Sequence, residues 1–283
     1  MDSYSGTTKH SEFSMSKQTI WITGASSGIG RALAREWAKQ GARFILSGRD
    51  AGRLEDVALE LGGDSLILPF DVRDESAMNT AVARALEWSG GIDILVNNAG
   101  ISQRSQAVKT DIQVYHDIIA IDLTAPIALT QALLPHFVGR GSGALVFMSS
   151  VAGKVGVPMR TAYCAAKHGL IGYADALRGE LSNKGVSVHV IAPGSVATEI
   201  SRNALSADGS RRGTSDEAIE NGIPADEAAT EIVSGIAAGE REIIVARGGE
   251  LALVEARRTP EALFDRIAGM VAKGYIEKME AEG

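Results

Sequence analysis

The sequence predicts an α/β fold, a Rossmann-type doubly wound parallel sheet of about seven strands with helices on both faces. Three observations predict it. Short apolar runs recur along the chain, longer amphipathic stretches separate them, and a glycine-rich turn follows the first run directly. Short apolar runs bounded by turn residues are the pattern of buried strands, and alternation with helices is the pattern of βαβ units. Such units cross over right-handed and cover both faces of a parallel sheet.

The elements follow in order. The first strand, Thr19–Thr23, opens onto the turn Thr23–Gly30, and the helical pattern Arg31–Gln40 follows. The second, Arg43–Ser47, stops at Gly48, and the third is Ser65–Phe70. A helix over Glu75–Trp88 leads to the fourth, Ile92–Val96, which runs into Asn97-Asn98-Ala99-Gly100. The long pattern Asp111–Leu134 precedes the fifth, Ala144–Met148, which ends at two serines. A helix over Thr161–Asn183 precedes the sixth, Val186–Ile191, whose exit is Ala192-Pro193-Gly194, and Glu242–Ala246 is the seventh.

No Pro- or Ser-rich linker and no internal repeat divides the chain, so one domain over residues 18–283 is expected. The least regular stretch, Val196–Gly222, reads either as a lid over a substrate or as a disordered insertion; its place directly after a strand exit favours the lid. Pro260–Glu280 reads as an amphipathic C-terminal helix, with Leu263, Ile267, Met270, Val271 and Tyr275 near helical spacing. Met1–Lys17 is rich in Ser, Thr and charge and reads as a disordered extension or an expression remnant, with Met15 an alternative start.

Composition narrows the function classes. A chain of 283 residues with 45% hydrophobic residues and a formal charge of -7 has material for a sizeable core and no basic character for broad nucleic-acid binding. Cys164 is the only cysteine, which excludes an intrachain disulfide and a zinc site of several cysteines; no metal is expected. A reducing cytoplasm suits this usage. No window of about 18–20 continuous apolar residues suggests a membrane span.

Gly24, Gly28 and Gly30 give the first turn its chemistry. Glycines there permit positive φ and remove the Cβ atoms that would block a pyrophosphate, while the next helix offers its free N–H groups to the anion. A bare strand-to-helix turn is the alternative. The end of the second strand bears on cofactor choice, because an acidic residue there holds the ribose hydroxyls of NAD. Here Ser47-Gly48-Arg49-Asp50 places Arg49 near that slot, where a guanidinium forks onto a 2′-phosphate. Asp50 competes if the register shifts by one or two residues, and Arg49 has an alternative as a solvated loop charge.

Tyr163 and Lys167 stand four apart at a helix start, one turn from each other on the same face. A phenol with a pKa near 10 exchanges protons poorly at neutral pH, and an adjacent ammonium lowers that value by stabilising the phenolate. Ser150 leaves the carboxyl end of the fifth strand, where parallel sheets bind ligands, with Ser149 its local competitor. Each residue alone has a bland reading: an exposed helix pair, or a turn serine.

Together, Thr23–Gly30, Asn97–Gly100, Ser150, Tyr163/Lys167 and Pro193-Gly194 resemble the short-chain dehydrogenase/reductase family in order and spacing, over roughly Lys17 to Thr198. The resemblance implies an NAD(P) cofactor, a Ser-Tyr-Lys mechanism on a carbonyl or secondary alcohol, and a homodimer or homotetramer through the helices around Asp111–Leu134 and Thr161–Asn183. The Gly48-Arg49 pattern looks like its NADP-preferring branch. By the same resemblance Gly24, Ser26, Ser27, Gly28, Ile29, Gly30, Ser47, Arg49, Asp71, Val72, Asn98, Ala99, Gly100, Tyr163, Lys167, Pro193, Gly194, Val196 and Thr198 hold the cofactor. Asp71 and Val72 would lie by the adenine and Thr198 by the carboxamide. One departure stands out: Asp122 occupies the place of an asparagine that in the family supports a water linked to the lysine. It is either a tolerated replacement or a weakened proton relay, and it favours protonated Lys167.

The substrate is less legible. Val155, Val157 and Met159, between the serine and the tyrosine, suggest an apolar wall or ordinary core. Cys164, His168 and His189 carry no motif. Two other functions compete: a cofactor-binding sensor without turnover, and an epimerase or dehydratase, for which the 90 residues after Pro193 leave little substrate domain.

Overall fold

The computed structural model describes residues 17–257, 269–270 and 273–281. The N-terminal extension up to residue 16, and Leu263, Ile267 and Val271 of the expected C-terminal helix, lie outside the described residues. Strands form on the apolar runs: β1 (Thr19–Thr23), β2 (Arg43–Gly48), β3 (Ser65–Pro69), β4 (Ile94–Asn97), β5 (Gly143–Met148) and β6 (Val186–Pro193). The short strands β7 (Val196–Ala197) and β8 (Ile223–Pro224) pair with each other, and β9 (Glu242–Val245) returns to the main sheet. That sheet has seven strands in the order β3-β2-β1-β4-β5-β6-β9, with every neighbouring pair parallel. The order reverses between β1 and β4, and the carboxyl ends of these strands open the crevice where doubly wound sheets bind ligands.

The helices are α1 (Gly28–Ala38), α2 (Ala51–Leu61), α3 (Glu75–Ser89), α4 (Ile112–Ile119), α5 (Ala125–Arg140), α6 (Thr161–Glu180), α7 (Glu217–Glu220), α8 (Ala225–Ala237), α9 (Gly248–Ala256) and α10 (Tyr275–Ala281). Side chains alternate across a strand, so β1 serves two cores. Ile20 and Ile22 pack with Leu33 and Trp37 of α1, Leu54 of α2 and Ile232 of α8. Trp21 faces the other way, in a cluster with Met78 of α3, Leu129 and Phe137 of α5 and Leu170 of α6. Burying each such side chain contributes about 1.5–3 kcal/mol.

The expected helix over Asp111–Leu134 is interrupted. A π-helical turn, Ala120–Thr124, joins α4 to α5, and the Ala125 N–H reaches back five residues to the Ala120 carbonyl. Pro126 supplies the reason: it has no N–H to give the Asp122 carbonyl four residues earlier, so α-helical pairing fails at this point. By length and composition the stretch Ile112–Arg140, which contains an 18-residue window of mean hydropathy 1.6, is long and apolar enough to cross a membrane, although no continuous apolar run marks it. In the fold 44% of that apolar window is buried, and Leu129, Leu133 and Phe137 lie against the sheet.

Candidate active site

The glycine turn forms the rim of a cleft of about 960 Å3 at the crevice. Gly24 has φ +65°, and a Cβ there would lie 2.9 Å from the Ala99 Cα. The loop is stapled to the exit of β4: Thr23 Oγ1 accepts the N–H groups of Asn98 (3.0 Å) and Ala99 (3.1 Å). Asn98 Nδ2 in turn donates to the carbonyls of Thr23 (2.9 Å) and Gly24 (3.2 Å). Ser26, Ser27, Gly28 and Ile29 line the cleft in front of α1, whose positive end faces it. Gly30 does not line it. A Cβ at Gly30 would stand 2.4 Å from the Gly24 oxygen, so this glycine lets helix and loop close on each other.

At the end of β2 the cleft is lined by Gly48, Arg49, Asp50 and Arg53. Asp50 is the N-cap of α2, its Oδ1 accepting the Arg53 N–H at 3.1 Å, which engages the carboxylate that competes with Arg49 for the ribose slot. Ser47 corrects the expectation. It shares the face of Ile45, is fully buried, and accepts the Trp21 Nε1–H at 2.9 Å, so it does not line the cleft. Asp71 and Val72 do line it. Arg73 hydrogen-bonds Asp71 (Nη2 to Oδ2, 2.7 Å) and, against partial burial, holds its carboxyl below the usual range.

The other end gathers the four residues singled out for chemistry. Ser150 stands two residues beyond β5; its Oγ donates to the Pro193 carbonyl (3.2 Å) and accepts the Ala152 N–H (3.1 Å). Its competitor Ser149 is buried and donates to the Lys167 carbonyl (3.0 Å), tying β5 to α6. Tyr163 and Lys167 share a face of α6, with Lys167 Nζ 5.6 Å from the Tyr163 ring centroid. The ammonium donates to the Met148 carbonyl at 2.9 Å and pairs with Asp122 Oδ2 at 3.2 Å. Asp122 sits on the π-turn, fully buried, with Oδ1 accepting the Ile101 N–H at 2.8 Å. Burial disfavours the charged form of Lys167, but the Asp122 charge and then Tyr163 raise its pKa above the ordinary value. Burial likewise raises the Asp122 pKa, opposed by Lys167 and the Ile101 N–H. The pair keeps a cation buried beside the phenol.

Asn98, Ala99, Gly100, Pro193, Gly194, Val196 and Thr198 complete the wall of the cleft, and Ile101, Ile121, Ile200 and Ile219 give it apolar surface. Val155, Val157 and Met159 do not line it: Val155 packs with Val151 and Ala246, Val157 packs against that cluster, and Met159 is buried. Cys164 accepts the Val157 N–H at 3.3 Å, and burial pushes its thiol pKa up. Sequence reasoning missed Arg53, in the first turn of a helix it did not name. It also missed Glu250 of α9, which accepts both the N–H and the Oγ–H of Ser195 at 2.8 Å and anchors the turn after Gly194. No local pattern marks a residue 55 positions from its partner.

Sheet order, glycine rim and cleft define a nucleotide-fold protein of the doubly wound class. The family model described as short chain dehydrogenase matches residues 18–209, and the chain belongs to that family of oxidoreductases. "Dehydrogenase/reductase SDR family member 7B" of Danio rerio is 36% identical over 272 residues, covering 93% of this chain and 88% of that protein. A short-chain dehydrogenase from Sphingobium yanoikuyae in complex with NADPH superposes with TM-score 0.73 at 29% identity, covering 90% of this chain and 95% of that one. The fold is also that of a short chain dehydrogenase/reductase from Burkholderia phymatum in complex with NAD (TM-score 0.78, 24% identity, 87% and 95% covered).

Proposed function

We propose that the protein transfers a hydride between NADP(H) and a small-molecule carbonyl or secondary alcohol, with Tyr163 as acid/base. The observation that carries this reading is Tyr163 over the buried Lys167 ammonium, with Ser150 beside them in a cleft that the glycine turn before α1 also lines. The residues fit a dinucleotide: Gly28 keeps the space between α1 and Thr198 free of a Cβ, Gly24 lets the loop close on the exit of β4, and Asp71, Arg49 and Arg53 line the same cleft. Arg49 and Arg53 support NADP over NAD, because the carboxylate nearest the ribose slot caps α2.

The nicotinamide, when bound, supplies or accepts the hydride. In reduction Tyr163 gives its phenolic proton to the substrate oxygen, and Lys167 stabilises the phenolate left behind. Ser150 holds the same oxygen; to do so its hydroxyl hydrogen turns away from the Pro193 carbonyl. Lys167 would also bind ribose hydroxyls, and Asp122 favours its protonated form. Thr198 and the Pro193-Gly194 turn would hold the nicotinamide end, and segment 196–222 would cover the substrate. Oxidation runs the same steps in reverse.

Calorimetric titration with NADPH and NADH, followed by a panel of carbonyl compounds read at the NADPH absorbance band, tests the reading. Tyr163→Phe is expected to lower kcat by roughly 10²–10⁴-fold with NADPH affinity unchanged. Near-normal turnover in that variant removes the acid/base role. NADPH binding with no oxidation across the panel favours the sensor instead.

A further inference from the structure

Ser102, Gln103, Arg104 and Ser105 are consecutive, polar and buried, each less than a tenth exposed. Such a run is costly unless every group is paired. Its partners lie on two sides. Gln103 Oε1 accepts the Ala162 N–H at 2.9 Å. That donor belongs to the first turn of α6, where N–H groups have no partner within the helix, and it directly precedes Tyr163. Arg160, the N-cap residue, makes no side-chain cap, so Gln103 takes that role from a distant loop. Gln103 Nε2 donates to Ser105 Oγ (3.1 Å), and the Ser105 N–H donates to the carbonyl of Met159 (3.1 Å), which the turn holds at φ +65°.

Arg104 reaches the opposite way. Its Nε donates to Asp216 Oδ2 at 2.6 Å, and its Nη1 to Ser102 Oγ (2.7 Å) and the Gln103 carbonyl (2.8 Å). Arg212 and Arg160 pair with the same Asp216 carboxylate. Burial opposes ionisation of Asp216, but Arg104 and its neighbours bring the pKa down to about 2. The backbones are tied as well: the Leu205 N–H donates to the Ser102 carbonyl (2.8 Å) and the Arg104 N–H to the Leu205 carbonyl (2.9 Å). The stretch held this way carries Ile200, Asn203 and Arg211 on the cleft wall.

We propose that Ser102–Ser105 is a positioning element with two arms: Gln103 sets the start of α6 and thereby Tyr163, and Arg104, through Asp216, holds segment 196–222 against the cleft. The proposal rests on the acid/base reading of Tyr163. The two arms touch different steps. Displacing Tyr163 slows proton transfer, whereas loosening the segment weakens substrate binding.

Hydrogen exchange and kinetics on the full-length chain loaded with NADPH test it, with the aromatic diketone benzil as carbonyl probe. Gln103→Met leaves a buried donor unpaired. It is expected to speed exchange at Ala162 and lower kcat roughly 10-fold, with benzil KM and NADPH Kd within about 2-fold. Arg104→Met leaves Asp216 its two other arginines; it is expected to speed exchange at Leu205 and Arg212 and raise benzil KM roughly 10-fold, with kcat within about 2-fold. The proposal is overturned if exchange at these amides is unchanged, or if both variants move kcat and KM alike. Should the wild type not reduce benzil, the activity reading loses support while exchange still decides the two arms. Should Gln103→Met no longer bind NADPH, Gln103→Glu, which keeps the acceptor, must retain wild-type exchange at Ala162; loss of that protection also overturns it.

Discussion

Replacing Asp122 with asparagine preserves the side chain's shape and an acceptor for the Ile101 N–H, but removes the charge 3.2 Å from the Lys167 ammonium. At that separation and an effective dielectric constant near 20, two unit charges attract by about 5 kcal/mol. Measured losses on removing one partner of a buried pair are about 3–5 kcal/mol, so the two scales agree. For a chain of this size the loss corresponds to a fall in Tm of roughly 10 °C at neutral pH. The sign of the pH dependence separates this cause from general damage. In the wild type the Lys167 pKa is raised in the fold, so its contribution is fully present below the unfolded value and lost as pH rises through the folded one. In Asp122→Asn the largest opposing influence is gone. Burial, the strongest single influence, outweighs Tyr163 and depresses that pKa, so the unfolded chain binds more protons as pH rises above neutral. Stability of the variant therefore rises as pH approaches the unfolded lysine value of about 10.4. Thermal melts of both proteins from pH 7 to 10 measure the gap, which is expected to narrow. A gap that stays constant or widens refutes the assignment of Asp122 as the group that keeps Lys167 charged.

Two further outcomes follow from the cofactor cleft. Arg49→Ala is expected to weaken NADPH binding by roughly 10–100-fold, the scale of a lost charged hydrogen bond, while leaving NADH binding within about 2-fold; equal losses for both cofactors in a titration place Arg49 away from the 2′-phosphate. Gly30→Ala puts a methyl 2.4 Å from the Gly24 oxygen and 2.5 Å from Asn98 Nδ2. It is expected to destabilise by about 1–3 kcal/mol and to weaken both cofactors together, as the loop is pushed off α1; a melt and a titration unchanged from wild type would mean that the close approach does not exist in solution.

Much of this protein was legible in its sequence because local rules generate it. Strand periodicity named all seven strands of the sheet, since a strand buried on both faces must be an apolar run whatever its neighbours. The glycine turn was legible because a close approach of helix, loop and anion excludes a Cβ, and the four-residue spacing of Tyr163 and Lys167 because a helix turns at a fixed pitch. Local pattern failed where partners are distant or a break is subtle. Ser47 looked like a cleft residue until strand alternation turned it toward Trp21. The helix through Asp122 looked continuous until Pro126 withheld an N–H, and the π-turn that results presents Asp122 to Lys167.

By itself, then, the sequence determined the strands, the turn at the crevice and the residue types gathered there, because each follows from neighbours within about one helical turn or one strand. Tertiary structure alone decided that Asp122 is an ion-pair partner, that Glu250 anchors Ser195, and that Gln103 and Arg104 look in opposite directions. Those contacts join residues 45 to 112 positions apart, and only folding makes them neighbours.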